Sequence, residues 1–352
     1  MKQALSNAWS STRPFRPVLA VVIILFALFA VWQPGFRTGL NIQNILGSVS
    51  VLFVVSMGMT FVLISGGFDL SAGAIAALCG VFLGKMIEGN IMPAAVAVVL
   101  TVLFGAVLGG AANGLFVGVF RLSVFVVTLA SMTALTGVVL IWTQTMSIYI
   151  TSPLILNIGV AHIAGLQAPI YIMVAVFAIF LIAQSRTYFG RDIFATGGSY
   201  TAARLSGVRT ERTIIMVYAV SGACAGLAGV IAVGRVGAAT PQVDAGLALQ
   251  AVAAVLLGGT LLTGGSGSVV GTALGVLFIG ILQNGLNLVG VESSWQYVVT
   301  GIILLISVMG SRAGGRRRGS KSSTASDCAV PTPSVALGTP SLGAPSEDTN
   351  AG

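Results

Sequence analysis

The chain has 352 residues, of which 7% are charged and 56% hydrophobic, and its mean hydropathy is +0.99. A water-soluble surface takes roughly a quarter of charged residues, so a soluble globule is excluded and most of the surface must face lipid. Long unbroken apolar stretches, without strand-like alternation, point to helices and away from a β-barrel. The expected fold is all-α, a polytopic membrane protein.

Residues 1–16 form a basic N-terminal segment with Lys2, Arg13 and Arg16. The apolar run Pro17–Trp32 reaches the Pro34-Gly35-Phe36 break with no small-x-small cleavage site before it, so it reads as a retained first span. At about 20 residues per span, the chain from 17 to 310 divides into about ten transmembrane helices. These fall near 17–34, 45–65, 70–85, 92–117, 122–142, 168–185, 213–233, 247–263, 269–289 and 294–310. The segment 144–167 is the longest external loop, and its Ile, Leu and Pro153 content reads as a loop or short interfacial helix.

Orientation follows from Lys and Arg in short loops. With ten spans, Lys2, Arg13 and Arg16, then Arg121, then the loop 186–212, then the basic cluster Arg312–Lys321 all fall on one side, which the rule makes cytoplasmic. Only Arg37, Lys85 and Arg235 fall opposite. Residues 311–352 start basic and turn into a Ser-, Thr- and Pro-rich stretch from Gly319, expected to be a disordered cytoplasmic tail. Trp295 and Tyr297 read as interfacial anchors. Cys79 and Cys224 lie in apolar runs and Cys328 in the tail, and His162 is the only histidine, so no metal site is expected.

Three segments carry candidate chemistry. In the loop 186–212, Thr201-Ala202-Ala203-Arg204-Leu205 has the composition of a short helix, punctuated by Gly197-Gly198 before it and Gly207 after it. It is either a basic loop that anchors topology or a knob for a socket on a soluble partner. Asp69, in the turn with Gly66, Gly67 and Ser71, either holds that turn and caps the next helix or meets solute, as an intramembrane acid does. The amides Asn113, Gln250, Gln283, Asn284 and Asn287 either line a path for an uncharged solute or bridge helices. A third block, Gly258-Gly259 through Gly264, Gly265 and Gly267, has Gly-x-Gly turns but no Walker lysine to reach a phosphate. The chain therefore needs a separate subunit to hydrolyse ATP, if ATP drives it.

Taken in order, Phe189–Val208 (FGRDIFATGGSYTAARLSGV), the Ser65-Gly66-Gly67-Phe68-Asp69-Leu70-Ser71-Ala72-Gly73 turn and the Gly258–Gly267 block with the following Asn284-Gly285-Leu286-Asn287-Leu288 resemble bacterial ATP-binding-cassette sugar permeases of the ribose type. The resemblance spans roughly residues 20–310. Two positions depart from the family pattern, Ser199 where it has Asn and Phe68 where it has Ile. The resemblance implies a permease subunit that moves a neutral monosaccharide into the cell from the inner membrane, with Gly197–Val208 as the coupling element for the ATPase. It implies cytoplasmic ATP-binding subunits, a periplasmic or extracellular sugar-binding protein and a second permease subunit as partners, with no cofactor on this chain. An ion-coupled secondary transporter of a small neutral solute is the alternative, for which only Asp69 offers an ionisable group. An intramembrane enzyme ranks third, because no acid, base, metal or nucleophile constellation is visible.

Overall fold

The computed structural model describes residues 16–89, 91–242, 245–292, 294–296, 298, 299, 301–303 and 305. Nearly all of the N-terminal segment, Tyr297, much of the run 294–310 and the tail 311–352 with Cys328 lie outside the described residues.

Helix α1 (Arg16–Trp32) leads through a 3-10 turn (Pro34–Arg37) to α2 (Gly39–Ile64). Thr38 starts α2 by accepting the Asn41 N–H at 3.3 Å, so one otherwise free donor of the first turn is satisfied. After the Asp69 turn come α3 (Ala72–Glu88) and α4 (Ala94–Val107). Helix α4 continues through a π-helical stretch (Leu108–Gly114) into α5 (Leu115–Gly118) as one apolar rod. Then follow α6 (Val124–Thr143), α7 (Pro153–Val160), α8 (Ala168–Arg186), α9 (Tyr188–Gly198), α10 (Tyr200–Leu205), α11 (Thr210–Val236), α12 (Ala245–Leu257) and α13 (Val269–Leu288).

Burial separates the centre from the rim. The apolar window of α2 is 83% buried and that of α11 61%, against 28% for α4–α5 and 17% for α6. Helices of nearly equal hydropathy thus divide into a protein-packed pair and a lipid-facing shell. Close approach in lipid relies on small residues. Helix α4 crosses α11 where Gly105 and Gly109 meet Gly222, and a Cβ on Gly222 would strike the Gly105 carbonyl and lie 2.9 Å from Gly109 Cα.

Two short ribbons break the all-α pattern. Strand β1 (Ile148–Tyr149) pairs antiparallel with β4 (Ala238–Ala239), pinning the segment after α6 to the end of α11. Strands β2 (His162–Ile163) and β3 (Leu166–Gln167) close a hairpin over Ala164-Gly165, both at positive φ, the geometry of a two-residue turn. The stretch expected as an external loop therefore holds α7 and a hairpin.

The expectation of about ten transmembrane helices is corrected. Among the described residues six helices are long and apolar enough to cross a membrane: Gly39–Ile64, Ala94–Gly118, Val124–Thr143, Ala168–Arg186, Thr210–Val236 and Val269–Leu288. The runs read as spans at 17–34 and 247–263 yield shorter apolar helices, Val18–Trp32 and Gly246–Leu257, and that at 70–85 yields the 17-residue α3. At 1.5 Å per residue these reach about 25 Å or less, short of the roughly 30 Å hydrocarbon core. Hydropathy cannot separate a helix packed inside protein from one bathed in lipid, and α3 is buried along most of its length. In the run 247–263 the helix also stops early. Gly259 turns left-handed at φ 88°, and the Thr260 N–H returns to the Val255 carbonyl at 3.2 Å, a C-terminal glycine cap.

The long helices share their ends. Ile64, Arg186, Thr210 and Val269 lie at one end with Arg121, Arg204, Arg209 and Arg212, which we term the basic end. Asn41, Arg235 and Asn284 lie at the other.

Candidate functional site

At the basic end, Thr187 accepts the Gly190 N–H at 3.1 Å to open α9, and Ser199, extended at φ −162°, ends it. Ser199 then accepts the Ala202 N–H at 3.3 Å and opens α10, so the serine that replaces the family's Asn fills a capping position. Gly207, at φ 86°, closes α10, and the Val208 N–H bonds the Ala203 carbonyl at 3.0 Å. Along this six-residue helix Thr201, Ala202, Arg204 and Leu205 are exposed, whereas Ala203 is buried in the chain's own packing.

One acid that sequence reasoning did not single out organises this element. Glu211, at the start of α11, accepts from the Tyr200 hydroxyl at 2.9 Å and pairs with Arg204 at 3.3 Å and Arg121 at 3.4 Å. Arg121 also stands 5.1 Å over the Tyr200 ring. Thus α10, α11 and the α5–α6 turn meet on one carboxylate. The signal was available, since Asp192 and Glu211 are the only acids in a loop of arginines, and an acid in the first turn of a long helix is favoured by its dipole.

Helix α9 joins the membrane body through backbone. Gly197 sits where a Cβ would strike the Ile64 carbonyl and lie 2.7 Å from Gly265 N, and Gly265 N itself donates to Ile64 O at 2.8 Å. Gly264, at φ 80°, brings its backbone against Gly66 and Gly197. The expected turn glycines Gly66, Gly264 and Gly265 thus form one joint between the end of α2, α9 and the α12–α13 loop. Gly258 packs on Gly271, the start of α13, and Gly267 on Ile64 and Thr260. Gln184 of α8 holds the same loop, donating to Gly267 O and accepting from Val269 N, each at 3.0 Å. Gly67 packs on Val62 and Tyr218, while Gly198 and Gly259 leave open space around the Cβ position.

Asp69 lies fully buried in the α2–α3 turn. Its carboxylate accepts from Ser71 N at 3.0 Å, Ser71 Oγ at 2.6 Å, Ser221 Oγ at 3.0 Å and Asn113 Nδ2 at 3.5 Å. Asn113 Nδ2 also donates to Ser71 Oγ at 2.7 Å. Asp69 therefore ties the turn to the π-helical stretch and to α11, and its bonds go to Ser71 rather than to the free N–H groups of α3.

The five candidate amides separate. Asn113 belongs to the Asp69 cluster. Asn284 exchanges two hydrogen bonds with Asn41, 2.9 and 3.1 Å, and Gln283 donates to Gln250 at 3.4 Å. Gln283, Asn284 and Asn287 line a cavity of about 490 Å³ at the end away from the basic residues, together with Asn44, Gln167 and Arg235. His162 also reaches this cavity. A second, apolar cavity of about 210 Å³ lies between α2, α3, α11 and α12, lined by Gly73, Gly80, Gly229 and Val236 among others. Among the described residues no group of three or more His, Cys, Asp or Glu could hold a metal ion.

The family described as branched-chain amino acid transport system / permease component matches residues 41–308. The chain belongs to this family. It is 40% identical over 301 residues to the ribose import permease protein RbsC of Bacillus subtilis, covering 84% of this chain and 91% of that protein. It is 37% identical over 295 residues to the RbsC protein of Escherichia coli K12, covering 83% and 91%, and 35% identical over 289 residues to the D-allose transport system permease protein AlsC of the same strain, covering 82% and 88%. No solved structure matches. The chain is therefore a multi-pass membrane permease of the ATP-binding-cassette importer type, not itself an enzyme, because in such importers the ATPase is a separate subunit.

Proposed function

We propose that this chain is the membrane subunit through which an ATP-driven importer moves a neutral monosaccharide, a ribose-like pentose or a related hexose. The observation that carries this reading is similarity over more than four fifths of the chain to permeases of ribose and D-allose, and at 32% identity to an L-arabinose permease. The partners are ATP-binding subunits, a soluble sugar-binding protein and a second permease subunit. ATP is consumed by the partners, and this chain binds no cofactor. The basic end faces the cytoplasm, in keeping with the bias of Lys and Arg in short loops. The exposed face of α10, with Thr201, Ala202 and Leu205, meets the ATPase, and its movement reaches α2 and the α12–α13 loop through the backbone joint at Gly197. Such a joint suits force transmission because close-packed backbones have no side-chain freedom to absorb a displacement.

Reconstitution tests this. The chain should co-purify with an ATPase subunit and, in vesicles containing ATP and the sugar-binding protein, accumulate labelled D-ribose, D-allose or L-arabinose. Uptake that proceeds without the ATPase on an ion gradient would overturn the reading in favour of a secondary transporter.

A further inference from the structure

Resting on that importer reading, we propose that the cavity between α2, the β2–β3 hairpin, α11 and α13 is an acceptor site for the ring of a neutral polyhydroxylated solute. Its volume of about 490 Å³ falls within the roughly 300–1,000 Å³ of small-molecule sites. It opens at the end opposite the coupling element, where a solute handed over by a soluble protein arrives.

The lining selects the ligand class. Among the described residues, carboxamides dominate the polar side chains, with one guanidinium (Arg235), one imidazole (His162) and no carboxylate. Neighbours hold several of these groups in fixed orientation. Gln283 spends an amide N–H on Gln250, which leaves its carbonyl oxygen as an acceptor. Asn44 accepts from Gln167 Nε2 at 3.4 Å and keeps its own N–H groups as donors. Asn284 is fixed by its two hydrogen bonds with Asn41, and Asn41 in turn donates to Phe36 O at 3.0 Å. Arg235 gives one N–H to the Ser48 carbonyl at 3.0 Å, and a guanidinium has further donors to offer.

The cavity thus presents fixed donors and fixed acceptors around one space. A sugar hydroxyl both donates and accepts, so it can satisfy both kinds at once. A carboxylate offers acceptors only, and a phosphate at neutral pH has few O–H donors among its charged oxygens, so either sets negative charge against the Gln283 carbonyl. Anion sites instead gather several cations, whereas the described lining holds the single guanidinium of Arg235. Arg235 lines this cavity and its neighbour Val236 lines the apolar one, so the C-terminal end of α11 borders both.

Site-directed alkylation of the full-length chain, reconstituted with its ATPase in vesicles, tests this. Asn287→Cys, with Asn44→Cys as a second position, is placed in a Cys328→Ser background and labelled with a membrane-impermeant maleimide. The protectant is millimolar sugar, D-ribose, D-allose or L-arabinose, whichever the wild-type complex imports, and inorganic phosphate is the comparison. Sugar should slow alkylation at both positions and phosphate should not. Gln283→Leu should raise the half-protecting sugar concentration about fivefold, the worth of one hydrogen bond. If the wild type imports sugar but neither position is protected, or Gln283→Leu changes nothing, the site is refuted and the importer reading stands. Equal protection by phosphate would make it an anion site and overturn the proposal. A wild-type complex that imports none of these sugars would overturn both.

Discussion

Adjacent glycines should behave in opposite ways at the α9 joint. Replacing Gly197 with Ala places a methyl against the Ile64 carbonyl, 2.7 Å from Gly265 N and 2.9 Å from Ile64 C, all backbone atoms that cannot rotate away. Overpacking of this kind costs about 1–3 kcal/mol. Separating the strands of the joint also strains the Gly265 N–H to Ile64 O bond of 2.8 Å, worth about 1 kcal/mol. The total is about 2–4 kcal/mol, delivered where α9 meets α2. Gly198→Ala meets nothing within 4 Å and removes a flexible residue from a helix, a change neutral to stabilising by up to about 1 kcal/mol. The assay is thermal inactivation of the detergent-purified proteins together with ATP-dependent uptake at matched membrane level. Gly197→Ala should lose thermal stability and uptake while Gly198→Ala keeps both. Two variants that behave alike would refute the argument that backbone contact at Gly197 carries the joint.

Ser199→Ala should destabilise α10 by about 1 kcal/mol through loss of the Ala202 N–H acceptor, whereas Ser199→Asn should keep wild-type uptake; equal uptake by both variants would show that the cap is dispensable. Leu205 is 85% exposed, so Leu205→Asp should leave stability within about 0.5 kcal/mol yet weaken ATPase co-purification; unchanged association would move docking off α10. With Cys328→Ser as background, Ala202→Cys and His162→Cys should label from opposite sides of the membrane, and labelling from one side would contradict the arrangement of the long helices. Asp69→Leu should lower the amount of folded protein in the membrane, because it leaves the donors of Ser71 and Ser221 buried without their acceptor; normal levels would show that the cluster is not structural.

Composition alone determined that this protein lives in lipid and is helical, because apolar content and the absence of charge act summed over the chain and need no geometry. The order of its three Gly- and Ala-rich segments determined the family resemblance. The number of crossings was beyond the sequence, since α2, α3 and α6 carry similar hydropathy while only packing makes α3 a buried 17-residue helix and α6 a lipid-facing span. Sequence also treated Asn113 and Gln283 alike. Tertiary structure sent the first to the Asp69 cluster and the second to the polar cavity, because which face of a helix meets which neighbour depends on crossings fixed elsewhere, such as Gly105 on Gly222. Glu211 and Gln184 gained their roles the same way, through partners about 90 and 80 residues distant. The same holds for Gly197 and Gly198: identical letters side by side, one wedged against two backbones and one facing open space, a difference that exists only once α9 has docked.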